Sequence, residues 1–212
     1  MTPALQSHAT QALCRMAPEI QVLVIDEPAH AEPLARALVA GGLPVLEVTL
    51  RTPCALDAIS AMARVPGARV GAGTVLSAHD AERARAAGAT FAVSPGATPA
   101  LIGACTALDL PLLPGAATAT EVMTLLEQGY RMMKLFPAGP AGGAALLKAL
   151  NGPLPMARFC PTGGIDAGNA GAYLALPNVV CVGGSWVAPA AALRSRDWAG
   201  IEGLAREARA LR

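Results

Sequence analysis

Lys134 stands in the middle of RMMKLFPA, residues 131–138, where every neighbour but Arg131 is apolar. Of the 16 Lys and Arg residues only Lys134 and Lys148 are lysines, so 14 arginines carry the remaining positive charge. A lysine inside a strand is then a chemical choice. Arg stays protonated at any working pH, whereas a Lys that is desolvated and set beside another cation can release its proton and attack a carbonyl. Strand alternation puts Met132, Lys134 and Phe136 on one face. In LEVTLR, residues 46–51, it puts Glu47, Thr49 and Arg51 on one face and Leu46, Val48 and Leu50 on the other. Two opposite charges and a hydroxyl on one face are foreign to core packing, and Arg51 is the cation that could stand near Lys134. Two plainer arrangements stay open: an exposed antiparallel edge for LEVTLR, and an inert internal ion pair between Lys134 and Glu47. Lys148, in LLKALNG, fits a solvated helix face.

CPTGGI (160–165) and VGGSW (182–186) form a second kind of signal. Consecutive glycines let the backbone approach an anion, N–H groups at a following helix start point at it, and Ser185 adds a hydroxyl. GAGTVL (71–76) matches half of a dinucleotide-binding fingerprint but has Leu76 where the third glycine belongs, so no nucleotide site is read from it. His8, His30 and His79 fall in helical or loop segments and read as surface residues. A histidine metal site or a Ser-His-Asp triad therefore lacks parts, and neither metal nor cofactor is expected.

Positioning these groups requires the elements around them. Eight apolar segments recur, at residues 19–26, 44–51, 69–76, 90–96, 111–118, 131–138, 158–164 and 178–184. Ala-rich segments lie between them, with helix-start signals at Thr52-Pro53, Ser77 with Asp80, Thr98-Pro99 and Thr118 with Glu121, and helix stops at Gly41, Gly88 and Gly129. Strand follows strand at roughly 20 to 27 residues, the length of a β–loop–α–loop unit. Such alternation implies a parallel sheet covered by helices, and eight units favour an α/β fold closed as a (β/α)₈ TIM barrel, with an extra N-terminal helix over the first residues. One domain spanning residues 1–212 is expected, since no linker or low-complexity tract interrupts the pattern. In such a barrel function gathers at the carboxyl ends of the strands, and the loops after strands seven and eight often hold phosphate.

Composition narrows the partners. A net charge of +1 gives no reason to expect nucleic acid or an anionic membrane surface. No apolar run approaches the ~20 residues of a membrane span, and the N-terminus lacks the basic and apolar regions of a signal peptide, so the expectation is cytoplasmic. Five cysteines with no CxxC pair read as free buried thiols. The 53% hydrophobic fraction with only 3% aromatics assigns the filling to Ala, Val, Leu and Gly.

Taken in order, LVAGGLPVLEVTLRTPCALDAI, GAGTVL, SPG, KLFPA, RFCPTGGI and VGGSW resemble the bacterial 2-keto-3-deoxy-6-phosphogluconate (KDPG) aldolase family, also active as 4-hydroxy-2-oxoglutarate (KHG) aldolases, of the Entner–Doudoroff pathway. The resemblance runs from about residue 18 to the C-terminal helix. It implies a metal-independent class I aldolase on a (β/α)₈ barrel, assembled as a homotrimer, with a small 2-keto acid or phosphosugar acid as substrate. It implies that Lys134 forms the Schiff base and Glu47 is the general acid/base. Arg51 and Thr74 would hold the pyruvyl carboxylate, Pro95 and Phe136 would line the pyruvyl pocket, and Thr162 would help select stereochemistry. Gly163, Gly164, Gly184 and Ser185 would bind phosphate. Some relatives carry an arginine in or before the first strand; VLVID (22–26) has no basic residue, which shifts phosphate binding toward backbone N–H groups. Alternatives are the 6-phosphogalactonate epimer as substrate, a phosphate-binding synthase or isomerase with Lys134 as mere counter-charge, and a non-catalytic sugar-phosphate binder.

Overall fold

The computed structural model describes residues 1–211. The strands are β1 (Glu19–Leu23), β2 (Val45–Thr49), β3 (Arg69–Gly73), β4 (Ala92–Val93), β5 (Leu112–Leu113), β6 (Gly115–Ala116), β7 (Met132–Leu135), β8 (Arg158–Pro161) and β9 (Val182–Gly184). The helices are α1 (Pro3–Cys14), α2 (Ala31–Ala40), α3 (Ala55–Met62), α4 (Ala78–Ala86), α5 (Pro99–Ala107), α6 (Ala119–Glu127), α7 (Gly143–Asn151), α8 (Ala170–Leu174), α9 (Ala190–Ser195) and α10 (Trp198–Arg209). Each apolar segment read from the sequence contains a strand, and the segment at 111–118 contains two.

The reason for that division is Pro114, which has no N–H to give a ladder. Residues before it pair with β4, residues after it pair with β7, and its own carbonyl accepts the Lys134 N–H at 2.8 Å. All pairings are parallel: β5-β4-β3-β2-β1-β9 form one curled sheet and β6-β7-β8 a second. Parallel bridges Phe159↔Val179 and Thr162↔Gly183 run between β8 and the segment carrying β9.

Two apolar layers hold this architecture. Leu23, Leu46, Val48 and Val70 face the helices and pack with Leu34, Leu38, Ile59 and Met62. Ile20, Val45, Phe91, Val93, Leu113, Met132 and Cys160 fill the concave face below the strand ends. Helix starts follow the sequence at Ser77, Thr98 and Thr118, the last with both halves of a capping box to Glu121. At Thr52-Pro53 they do not: α3 begins at Ala55, and Thr52 spends its hydroxyl on the Ile25 carbonyl at 2.6 Å. Helix α1 covers the amino ends of β5 and β7. Its Gln6 Oε1 accepts from Leu112 N–H and Tyr130 O–H, and Ser7 Oγ accepts the N–H groups of Arg131 and Met132. Among the described residues no helix is long and apolar enough to cross a membrane.

Glu19 opens β1 fully buried, and neither carboxyl oxygen has a hydrogen-bond partner. Burial, with a smaller contribution from Cys160, pushes its carboxyl up from 4.5 to about 9. The folded protein therefore keeps this proton where the unfolded chain has released it, so stability falls as pH rises from the ordinary carboxylate range toward 9. Each pH unit in that window contributes up to about 1.4 kcal/mol. Glu19→Gln removes this contribution. Urea midpoints at several pH values should fall less steeply for the variant than for the wild type; parallel curves would refute the assignment.

Candidate active site

The strand ends surround a cavity of about 530 Å³ with Lys134 and Glu47 in its wall. Lys134 comes from β7 and Glu47 from β2, strands of different sheets, and the Lys134 ammonium donates to Glu47 Oε1 at 3.0 Å. Both side chains are nearly closed off from solvent, at 7% and 3% exposure. The exposed-edge arrangement for LEVTLR is thereby excluded, since β2 pairs with both β1 and β3. The ion pair exists, but it borders an open cavity rather than lying in sealed core. Lys134 Nζ also stands 5.4 Å from the centroid of the Phe136 ring, which gives the ammonium a cation–π partner.

The remaining residues singled out from the sequence line the same cavity. Arg51, exposed just beyond β2, reaches it from one side, with Thr74 and Pro95 at the ends of β3 and β4. Thr162, Gly163, Gly164, Gly184 and Ser185 line it from the loops after β8 and β9. Thr74 has φ 57, a left-handed conformation that a β-branched residue adopts at a cost of order 1–3 kcal/mol. Gly163 and Gly164, with φ 99 and 76, fold the loop tightly, and it is tied to its neighbours: Gly139 N–H donates to Gly163 O at 2.9 Å and Asn169 Nδ2 to Gly164 O at 2.9 Å. Helices α8 and α9 start only at Ala170 and Ala190, so the glycine loops themselves, not helix N-termini, border the cavity.

Several features escaped the sequence reading. Gly71 and Gly73 of GAGTVL serve space. A Cβ at Gly71 would lie 2.5–2.6 Å from the Phe91 ring, and one at Gly73 would overlap the Glu47 carboxyl. A Cβ at Gly183 would meet the Cβ and Cγ2 of Thr162 at 3.1 Å and its hydroxyl closer still. The available signal was glycine at alternate strand positions, which marks one face kept bare for something bulky opposite. Thr49, also in the cavity wall, anchors its hydroxyl on the Leu23 carbonyl at 2.9 Å. His30 corrects the surface reading of the histidines: it is buried, its ring 5.6 Å from that of Trp198 and Nε2 3.2 Å from Glu27 Oε2. It lines a neighbouring cavity of about 660 Å³ that shares Ser185 but holds neither Lys134 nor Glu47. Lys148 is exposed. The five cysteines are free, Cys54 only half-buried and the others buried. Among the described residues no group of three or more His, Cys, Asp or Glu is placed to hold a metal ion.

The sequence pattern described as KDPG and KHG aldolase matches residues 10–204. The chain is 49% identical over 201 residues to the KHG/KDPG aldolase of Escherichia coli (strain K12), covering 94% of each chain. It superimposes with a TM-score of 0.93 on the 2-keto-3-deoxy-6-phosphogluconate aldolase of Zymomonas mobilis ZM4, solved with 3-phosphoglycerate, at 50% identity and 97% coverage of both chains. The KDPG aldolase of Legionella pneumophila, with pyruvate captured as a covalent carbinolamine intermediate, gives a TM-score of 0.91 at 46% identity, covering 94% of this chain and 98% of that one.

Removing one member of the buried pair strands the other. Lys134→Met is expected to lower unfolding free energy by about 3 kcal/mol, and adding Glu47→Leu to recover most of it, because breaking a buried pair costs more than replacing both members. Urea denaturation of the two variants checks this, and a double variant no more stable than the single would count against it.

Proposed function

The chain belongs to the KDPG and KHG aldolase family, and from that premise we propose that Lys134 is its Schiff-base nucleophile and Glu47 its general acid/base. The reaction is cleavage of 2-dehydro-3-deoxy-6-phosphogluconate to pyruvate and glyceraldehyde 3-phosphate, catalysed by a carbon–carbon lyase. The observation that carries the residue assignment is the 3.0 Å approach of Lys134 to Glu47 in the cavity wall.

Before it can attack, the ammonium must lose a proton, and Glu47 is the base in contact with it. The free amine adds to the C2 ketone to give a carbinolamine. Proton transfer through Glu47 expels water and leaves a protonated imine, an electron sink conjugated to C3. Glu47, directly or through a water, takes the C4 hydroxyl proton as the C3–C4 bond breaks; its electron pair moves into the imine, and glyceraldehyde 3-phosphate leaves. The resulting enamine is protonated on its methylene carbon, and hydrolysis frees pyruvate and the amine. Arg51 and Thr74 grip the pyruvyl carboxylate, Arg51 in planar bidentate fashion, so that C2 faces Nζ. Pro95 and Phe136 wall the pyruvyl end, Thr162 contacts the stereocentre at C4, and Gly163, Gly164, Gly184 and Ser185 receive the phosphate.

Cleavage of 4-hydroxy-2-oxoglutarate to pyruvate and glyoxylate is a second activity of the same site, favoured by the dual name of the Escherichia coli relative. Relatives near 50% identity carry the gluconate name, which sets the galactonate epimer behind it. We further read the two sheets as a single closed (β/α)₈ barrel, a reading supported by the continuity of chain through Pro114 and by the bridges between β8 and the β9 segment. On this reading α1 is an extra N-terminal helix and residues 1–212 are one domain. Assembly as a cytoplasmic homotrimer extends the family resemblance.

Borohydride reduction in the presence of pyruvate, followed by peptide mass analysis, should place one adduct on Lys134, and Lys134→Ala should abolish it. An adduct on Lys148, or none, refutes the assignment. Glu47→Gln should still bind pyruvate but lose orders of magnitude in turnover; wild-type kcat in that variant would remove Glu47 from its role.

A further inference from the structure

We infer that Gly73 is a positioning residue: its bare Cα is the seat on which the Glu47 carboxyl rests, and the seat sets the distance from that carboxyl to Lys134. The inference rests on the acid/base role given to Glu47. A Cβ at position 73 would lie 2.7 Å from Glu47 Cγ and 2.9 Å from Cδ, and nearer still to Oε1. Oε1 is also the oxygen that accepts from Lys134 Nζ. The glycine is not demanded by backbone conformation, since residue 73 lies in β3, paired in register with Thr49, and has no left-handed φ. Space is what it supplies. Two residues back, Gly71 gives the same clearance to the Phe91 ring, so β3 presents a bare strip to the concave face. The carboxyl is thus held between the β3 backbone on one side and the Lys134 ammonium on the other.

Adding a methyl at position 73 forces the carboxyl to move by roughly 1 Å to reach ordinary van der Waals contact, a displacement that can cost about 10²-fold in rate. Gly73→Ala is therefore expected to lower kcat for cleavage about 100-fold while the KM changes less than about threefold and end-point borohydride trapping of pyruvate on Lys134 persists. A stability cycle separates seating from simple structural damage. Gly73→Ala should lower Tm beside Glu47 but leave it unchanged in a Glu47→Ala background, where the overlapping atoms are gone. If Gly73→Ala alone fails to fold, it should fold once Glu47→Ala and Lys134→Met are both added, which removes the overlapping atoms without stranding the ammonium. A kcat within about threefold of wild type, an equal Tm loss in both backgrounds, or a triple variant that also fails to fold overturns the inference. Failure of the acid/base role is read separately: Glu47→Gln would keep its turnover, whatever the Tm cycle between positions 73 and 47 returned.

Discussion

A carboxylate and an ammonium taken out of water need each other, and in this chain they arrive from strands that never pair. Glu47 on β2 and Lys134 on β7 meet only because both sheets curl toward a common concave face. Either charge alone at that depth would be a heavy burden on folding. The pair is therefore a constraint on the fold and, on the reading proposed above, also the source of its chemistry: an ammonium in contact with a carboxylate, beside a cavity large enough for a small acid.

The materials around the pair suit that task. With so few aromatics, the chain builds its concave face from Val, Leu, Met and Cys, placing Phe91 where Gly71 leaves room for its ring. At the carboxyl ends of the strands polar side chains converge on one cavity, and the backbone turns there through positive φ at Thr74, Gly163 and Gly164. Among the described residues three non-glycines, Thr74, Asp109 and Arg196, have positive φ, and the β-branched one, Thr74, stands in the cavity wall.

Much of this was legible beforehand. Lysine in a chain that otherwise uses arginine, and alternation in LEVTLR, pointed to the interior pair, because strand periodicity is local and survives tertiary packing. Capping at Ser77, Thr98 and Thr118 was legible for the same reason. What escaped depended on neighbours remote in sequence. Thr52 carries a helix-start signature, yet the Ile25 carbonyl claims its hydroxyl. His30 ends a short 3₁₀ turn before α2 and is buried, its ring meeting that of Trp198 from the far end of the chain. Glu19 opens a strand as an ordinary polar residue would, and only the layers closing over it make it costly. The glycines of β3 carried a visible pattern, but its meaning required knowing that Phe91 and Glu47 stand opposite.

Helix α1, by taking up the N–H groups of Leu112, Arg131 and Met132, stoppers one end of the assembly, and an apolar layer that includes Ile20, Val45 and Met132 packs above it. On the assignment proposed for Lys134, the two fragments must queue: the aldehyde departs ahead of the pyruvate still tethered to the amine.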